Sequence, residues 1–349
     1  MASFEDSNVK INIVDMPGYF DFQGEMAQGM RAVDIATIVV CAASGIQVGT
    51  EKAWDYCEKI KLPRAFFVNK MDRENANFDK VLDQMKEMFG TSVVPIQYPI
   101  GKESDFNGII NVISKTALVY NAKTSKMETS EIPEDLKDKV EECKQMVMEA
   151  VAETDEELLD KYLNDGELCD EDIYNGLIKG CANGDIAPVL CGSAIKMIGI
   201  KSMITSIIKC FPSQEHSLPQ KAIYLSNDEE VFINIDDDKP FSAFVFKTIA
   251  DPFVGKISLF RVMTGKISGE MTALNTNKDK QEKLNHLFFM KGKNQIPTQV
   301  ISAGDIGAVA KLQYTATGDT LCSDKIKIMN DKINLPNEVM TMAILTKNK

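Results

Sequence analysis

The sequence is short of several things that a chain of this length often carries. It has two histidines and eight cysteines, and the cysteines fall singly, as in Val40-Cys41-Ala42 and Leu190-Cys191-Gly192. With no Cys-x-x-Cys pair and no Cys/His cluster, a disulfide framework and a zinc site are not expected, and the cysteines read as reduced core thiols. No apolar run reaches the ~18 residues of a spanning helix, and the N-terminus has no charged-then-apolar signal pattern. A membrane partner is therefore not expected, and the cytoplasm is the default location. Positive charge is scarce too: 39 Lys and Arg against 51 Asp and Glu give a net charge of −12. That balance disfavours a purely electrostatic grip on DNA or on anionic lipid. Finally, no Gly-x-x-x-x-Gly-Lys-Ser/Thr segment, the glycine-rich loop that cradles phosphates, occurs anywhere in the 349 residues.

What is present has a clear order. Residues 9–90 alternate strands and helices, an α/β pattern with a parallel sheet. Val9 to Val14, Ala36 to Cys41 and Ala65 to Val68 read as strands, the last two as continuous apolar runs buried on both faces. Thr50 is placed to cap a helix carrying Ala53, Cys57 and Ile60 that Pro63 stops. Phe78, Val81, Leu82, Met85 and Met88 mark one face of a helix ending at Gly90. Residues 91–185 break that rhythm and read as an α+β insertion. Strand pieces lie near Val93 and from Ile109 to Val112, and an acidic helix follows Pro133 with the stripe Leu136, Val140, Cys143, Val147 and Val151. Thr154 and Glu157 have capping-box spacing for the next helix. The pattern resumes with a strand at Ala187 to Cys191 and a helix from Ile200 to Cys210. Residues 213–239 are linker-like. Pro240 to Cys322 is all-β, with turns at Thr264-Gly265, Gly304-Asp305 and Thr317-Gly318-Asp319, and suggests a small barrel over 240–324. Residues 325–349 hold a further strand-like piece, Val339 to Leu345.

Three strand-end loops carry chemistry. In Asp15-Met16-Pro17-Gly18 a carboxylate can hold Mg2+ through water, and a glycine lets its backbone N–H approach a phosphate. The same four residues are also ordinary turn chemistry. In Asn69-Lys70-Met71-Asp72 the aspartate can accept from guanine N1 and N2, the lysine stem can lie along the base, and the asparagine can brace the loop. Adenine offers the wrong donor pattern and leaves polar groups unpaired. A solvated loop is the plain alternative. Gly192-Ser193-Ala194 follows another buried strand and can place a backbone N–H near guanine O6.

With these residues in place the sequence resembles bacterial elongation factor G. The resemblance runs through INIVDMPGYFDFQGEM (11–26), PRAFFVNKMD (63–72), YPIGKESDFNGIINVI (98–113), CGSAIKMIGI (191–200), FKTIADPFVGKISLFRVMTGKI (246–267) and AGDIGAVAKLQYTATGDTL (303–321). It implies a P-loop-GTPase-type parallel sheet with an inserted subdomain, over residues 1–212, followed by a translation-factor β-barrel. It implies GTP or GDP and Mg2+ as ligands, with Asp15, Met16, Pro17, Gly18, Asn69, Lys70, Met71, Asp72, Ser193 and Ala194 as the nucleotide site, and the ribosome, through rRNA and ribosomal proteins, as partner. It further implies that the phosphate loop and a switch I threonine lie upstream of Asp15, and that a third domain begins near residue 325. On this reading the chain is truncated at both ends, and its own GTP hydrolysis is not expected. Tyr19 stands where these factors carry the histidine that orients the attacking water. A phenol titrates near ~10 and does not simply replace an imidazole, and with Met16 it points to a divergent paralogue. The competing readings are a non-catalytic ribosome-binding module and an inactive fragment.

Overall fold

The apolar runs expected to lie in a parallel sheet do so in the computed structural model, which describes all residues except 122, 125, 253, 336–340 and 344–349. The chain divides into two compact units: residues 33–219 form one, and residues 1–32 with 220–349 form the other.

In chain order, the elements up to the linker are β1 (Ala2–Asp6), β2 (Val9–Ile13), α1 (Gln23–Met30), β3 (Ala36–Cys41), α2 (Val48–Ile60), β4 (Arg64–Asn69), α3 (Phe78–Phe89), β5 (Val93–Pro95), β6 (Gln97–Ile100), β7 (Gly108–Asn111), β8 (Thr116–Asn121), β9 (Lys126–Ser130), α4 (Lys137–Ala152), α5 (Glu156–Asp165), α6 (Asp170–Asn183), β10 (Ala187–Cys191) and α7 (Ile200–Cys210).

The unit of residues 33–219 is built on a parallel sheet in the order β3-β4-β10-β5. The central strands β4 and β10 are buried along nearly their whole length, which explains why they read as unbroken apolar runs. Phe66 on β4 stacks with Trp54 of α2 and Phe89 of α3, with ring centroids 5.6 and 5.5 Å away. Such offset aromatic pairs contribute about 0.5–1.5 kcal/mol each beyond their buried area. Residues 97–130 form a separate antiparallel sheet, β6-β7-β8-β9, and α4, α5 and α6 follow it. Val140, Cys143, Val147 and Val151 of α4 are buried, as their spacing predicts.

Two expected caps shift. Thr50 stands inside α2, where its Oγ1 accepts from Gln47 N at 3.3 Å rather than starting the helix itself. Asp155, not Thr154, caps α5: its carboxylate accepts from Glu157 N at 2.9 Å, while the Thr154 hydroxyl donates back to Val151 O at 2.7 Å. A carboxylate at the cap position also faces the positive end of the helix, which favours it over a hydroxyl.

The other unit centres on an eight-stranded antiparallel sheet running from Ser242 to Cys322. Its longest strands, β13 (Ser242–Asp251) and β14 (Gly255–Thr264) once β11 (Gln220–Tyr224) and β12 (Glu230–Ile233) are counted, pair across nearly their full length. Alternation along β13 sends Ala243 and Val245 into one core and Phe244 and Phe246 into another. The first core also takes Phe260, Val262, Leu284 and Leu321. The second takes Ala32, with Met1 and Val14 packed against it. The N-terminal residues thus cover one face of the antiparallel sheet. The strand expected at Val9 to Val14 pairs antiparallel with β1, Ala2 against Ile13 through Asp6 against Val9, and is not a member of the parallel sheet. Its sequence VKINI leaves only half-buried or exposed side chains, too polar for the interior of a sheet covered on both faces. The strand expected from Val339 to Leu345 falls largely outside the described residues.

Candidate functional site

Strand β4 delivers Asn69 at its C-terminal end, where the backbone leaves the sheet. Lys70 turns through the left-handed region, with φ of 64°, and Met71 drops into the core at 1% exposure while Asp72 stays half-buried. This swing presents Lys70 and Asp72 outward on a loop pinned from below by Met71. The Asn69 side chain then joins two loops: its Oδ1 accepts from Lys70 N at 2.8 Å and from Ala194 N at 3.0 Å. Asn69 O and Met71 N extend the tie, accepting from Ala42 N at 2.9 Å and donating to Gly192 O at 3.2 Å.

Strand β10 delivers the second loop. Ser193 is fully buried and bridges to Ile198, its N–H donating to Ile198 O at 2.9 Å, while Ala194 is exposed. Gly192 is required by close approach: a Cβ there would sit 2.6 Å from Ile198 O and 2.9 Å from the Phe67 ring. The structure therefore brings together Asn69, Lys70, Met71, Asp72, Ser193 and Ala194 at adjacent ends of two parallel strands. Cys41, at the end of the neighbouring strand β3, faces the same loop. Burial pushes its thiol up, but hydrogen bonds from Ser44 and the backbone of Ser44 and Ala43, with the Lys70 charge, outweigh this and bring it down to about 7. The Arg73 guanidinium stands 4.0 Å from its sulfur.

Asp15, Met16, Pro17, Gly18 and Tyr19 belong to the other unit. Asp15 and Gly18 are exposed, on the segment that leads from β2 into α1. Met16 packs on Gly29 of α1, where a Cβ would come within 3.0 Å of its terminal carbon. Gly18 is different: its backbone is not left-handed, and a Cβ would meet nothing within 4 Å. Nothing in the fold requires glycine at 18, and an open glycine N–H suits the approach of an external anion. Tyr19 is 79% exposed, and its carbonyl accepts from Phe22 N at 3.0 Å to open a 3-10 turn. Among the described residues no group of three or more His, Cys, Asp or Glu could hold a metal. A magnesium ion at Asp15 would therefore take most of its oxygen ligands from phosphate and water, as that ion commonly does.

Two residues tied into the loops after β4 and β10, Glu103 and Lys196, had no signal in the local sequence pattern. Their bonds connect positions far apart in the chain, and only the fold brings these together.

Residues 1–213 match the family of the elongation factor Tu GTP binding domain, and residues 240–324 match elongation factor G domain 2. Among solved structures, the chain is similar to the crystal structure of ttk003000868 from Thermus thermophilus, with a TM-score of 0.80 and 28% identity, over 92% of this chain and 45% of that one. The chain thus spans less than half the length of that relative. With the first match covering more than half of its residues, and an elongation factor G domain following in order, the chain belongs to the translational GTPases of the elongation factor G type.

Proposed function

We propose that the loops at the ends of β4 and β10 read the guanine base of GTP or GDP, within a protein that works on the ribosome during translation. Asp72 accepts from the base N–H groups, the Lys70 stem lies along the ring, and the Ser193-Ala194 loop borders the base carbonyl. Asp15 and Gly18 serve the phosphate side, Asp15 holding magnesium through water when the ion is bound. The observation that carries this reading is the double acceptance at Asn69 Oδ1, which fixes the Lys70 and Ala194 backbones with one side-chain atom. An acceptor used twice in this way sets the spacing between the loop that carries Asp72 and the Ser193-Ala194 loop.

Adenine presents an acceptor at N1 and no amino group at C2, so it would leave the Asp72 carboxylate unpaired. A site that reads polar groups in this way rejects the wrong base by as much as about 10^4-fold. The test is a titration of the whole chain with a fluorescent GDP, competed with unlabelled GDP, GTP and ADP. Competition by both guanine nucleotides, with ADP at least ~100-fold weaker, is expected on that ground. Equal competition by ADP contradicts the proposal. Ribosome association is tested separately, by co-sedimentation of the whole chain with ribosomes in the presence of GTP. Tyr19 is proposed only as the residue beside the water-attack position, and Tyr19→Phe is expected to leave nucleotide affinity unchanged.

A further inference from the structure

The loop Gly101 to Phe106, between β6 and β7, carries none of the residues assigned to the base, yet it is bound to both loops that do. Glu103 sits in it with φ of 55°, a left-handed conformation that a side chain adopts at a cost. Its N–H donates to Met71 O at 2.9 Å, and its carboxylate accepts from Asn75 N at 2.8 Å. Since Met71 N is bonded to Gly192 O, Asp72 lies on a short span anchored at both ends, by Met71 before it and Asn75 after it. Lys196 closes the circuit from the other side. Its ammonium donates to the carbonyls of Ser104 and Phe106, each at 3.4 Å, and its N–H donates to Ser193 Oγ at 3.1 Å. Phe106, 1% exposed, seats the loop in the core.

We propose that Gly101 to Phe106 is a third wall of the guanine site, with Glu103 and Lys196 as its positioning residues. This rests on the base-reading function above. Neither side chain needs to touch nucleotide. Glu103 holds the Asp72 span still, and Lys196 keeps the Ser193-Ala194 loop in register with it. A carboxylate that reads two N–H groups is sensitive to displacements of about 1 Å, which can cost on the order of 100-fold. The left-handed backbone of Glu103 fits this role: the loop accepts an unfavourable conformation where its carboxylate and its N–H can both reach the 71–75 segment.

The experiment compares the whole wild-type chain with Glu103→Ala, Glu103→Gln, Lys196→Met and Lys196→Arg. GDP, inosine diphosphate and ADP are titrated against each, and hydrogen exchange is followed without nucleotide. Glu103→Ala and Lys196→Met are expected to weaken GDP about tenfold or more. Inosine diphosphate, which lacks the 2-amino group, should weaken less, so that the ratio between the two falls. Glu103→Gln and Lys196→Arg should restore the ratio, because an amide oxygen still accepts from Asn75 and a guanidinium still donates to the two carbonyls. Without nucleotide, Glu103→Ala should raise exchange across 69–76 and leave the rest of the chain unchanged. Equal losses for GDP and inosine diphosphate, or unchanged exchange across 69–76, overturn the inference. Failure of the function itself reads differently: the wild-type chain then prefers no guanine nucleotide over ADP, and the inference falls with it.

Discussion

In residues 33–219 the loops after β4 and β10 are bound to each other through Asn69, Met71, Glu103 and Lys196, each reaching across a long stretch of sequence. In the unit made of residues 1–32 and 220–349, Asp15, Pro17 and Gly18 are instead exposed, while Met16 between them packs on Gly29 of α1. Upstream, Lys10 and Asn12 are bonded to Asp305, at 2.6 and 2.9 Å; downstream, Glu25 of α1 pairs with Lys247. The contrast separates two tasks. Base selection, as proposed, calls for fixed donors and acceptors, and the hydrogen bonds among Asn69, Met71, Glu103 and Lys196 are of that kind. The phosphate role proposed for the Asp15 to Gly18 loop would gain from an open backbone, and Gly18 has no neighbour within 4 Å of a Cβ position.

The largest expected effect tests this contrast on the base side. On the proposed reading, Asp72→Ala removes an acceptor of two charge-assisted hydrogen bonds to the base, worth about 3–6 kcal/mol together. GDP affinity should fall at least ~100-fold by titration, on the same ground, with little change in ADP affinity. The antiparallel unit offers a control of similar size that should leave base selection untouched. Glu282 is 4% exposed and accepts from the backbone N–H groups of Gln313, Tyr314 and Thr315 and from the Thr315 hydroxyl. Glu282→Ala strands those donors, and urea unfolding should show a loss of about 3–5 kcal/mol. Asn69→Ala should cost less, about 1–3 kcal/mol in GDP binding, because two backbone donors lose a shared acceptor but can meet water. Smallest in energy, but sharp in readout, is Cys41. Its thiol titrates at about 7, whereas burial pushes those of Cys57 and Cys210 up to about 12 and Cys143 up to about 11. A depressed thiol pKa means that the thiolate gains population as pH rises through 7. Alkylation of Cys41 in a Cys169→Ser background should therefore rise between pH 6 and 8, by mass spectrometry, while the buried thiols stay unreacted (~pH 6–8 being the range that brackets that value).

Much of this was legible in the sequence, for physical reasons that also mark where legibility stopped. Ala65 to Val68 and Ala187 to Cys191 announced themselves because a strand covered on both faces must be apolar throughout. The Asn69 to Asp72 loop was readable because its chemistry lies within four consecutive residues. The strands Lys126–Ser130 and Ala2–Asp6 were missed, since their largely exposed side chains carry no alternation strong enough to see. The membership of residues 1–32 in the antiparallel unit was hidden too. It depends on Ala32 joining the core that holds Phe244 and Phe246, with Val14 packed against it, an association set by the fold and not by spacing along the chain. The cap of α5 was hidden in the same way: Thr154 and Asp155 are both good capping residues, and only the backbone geometry decides between them.

The most direct test of preassembled base selection is hydrogen exchange of the whole chain with and without GDP, with ADP as the control. The account predicts protection in peptides spanning 69–76 and 193–199 that GDP confers and ADP does not, with those segments already slow to exchange before nucleotide is added. Free exchange of both segments in the absence of nucleotide, or protection conferred equally by ADP, would contradict it.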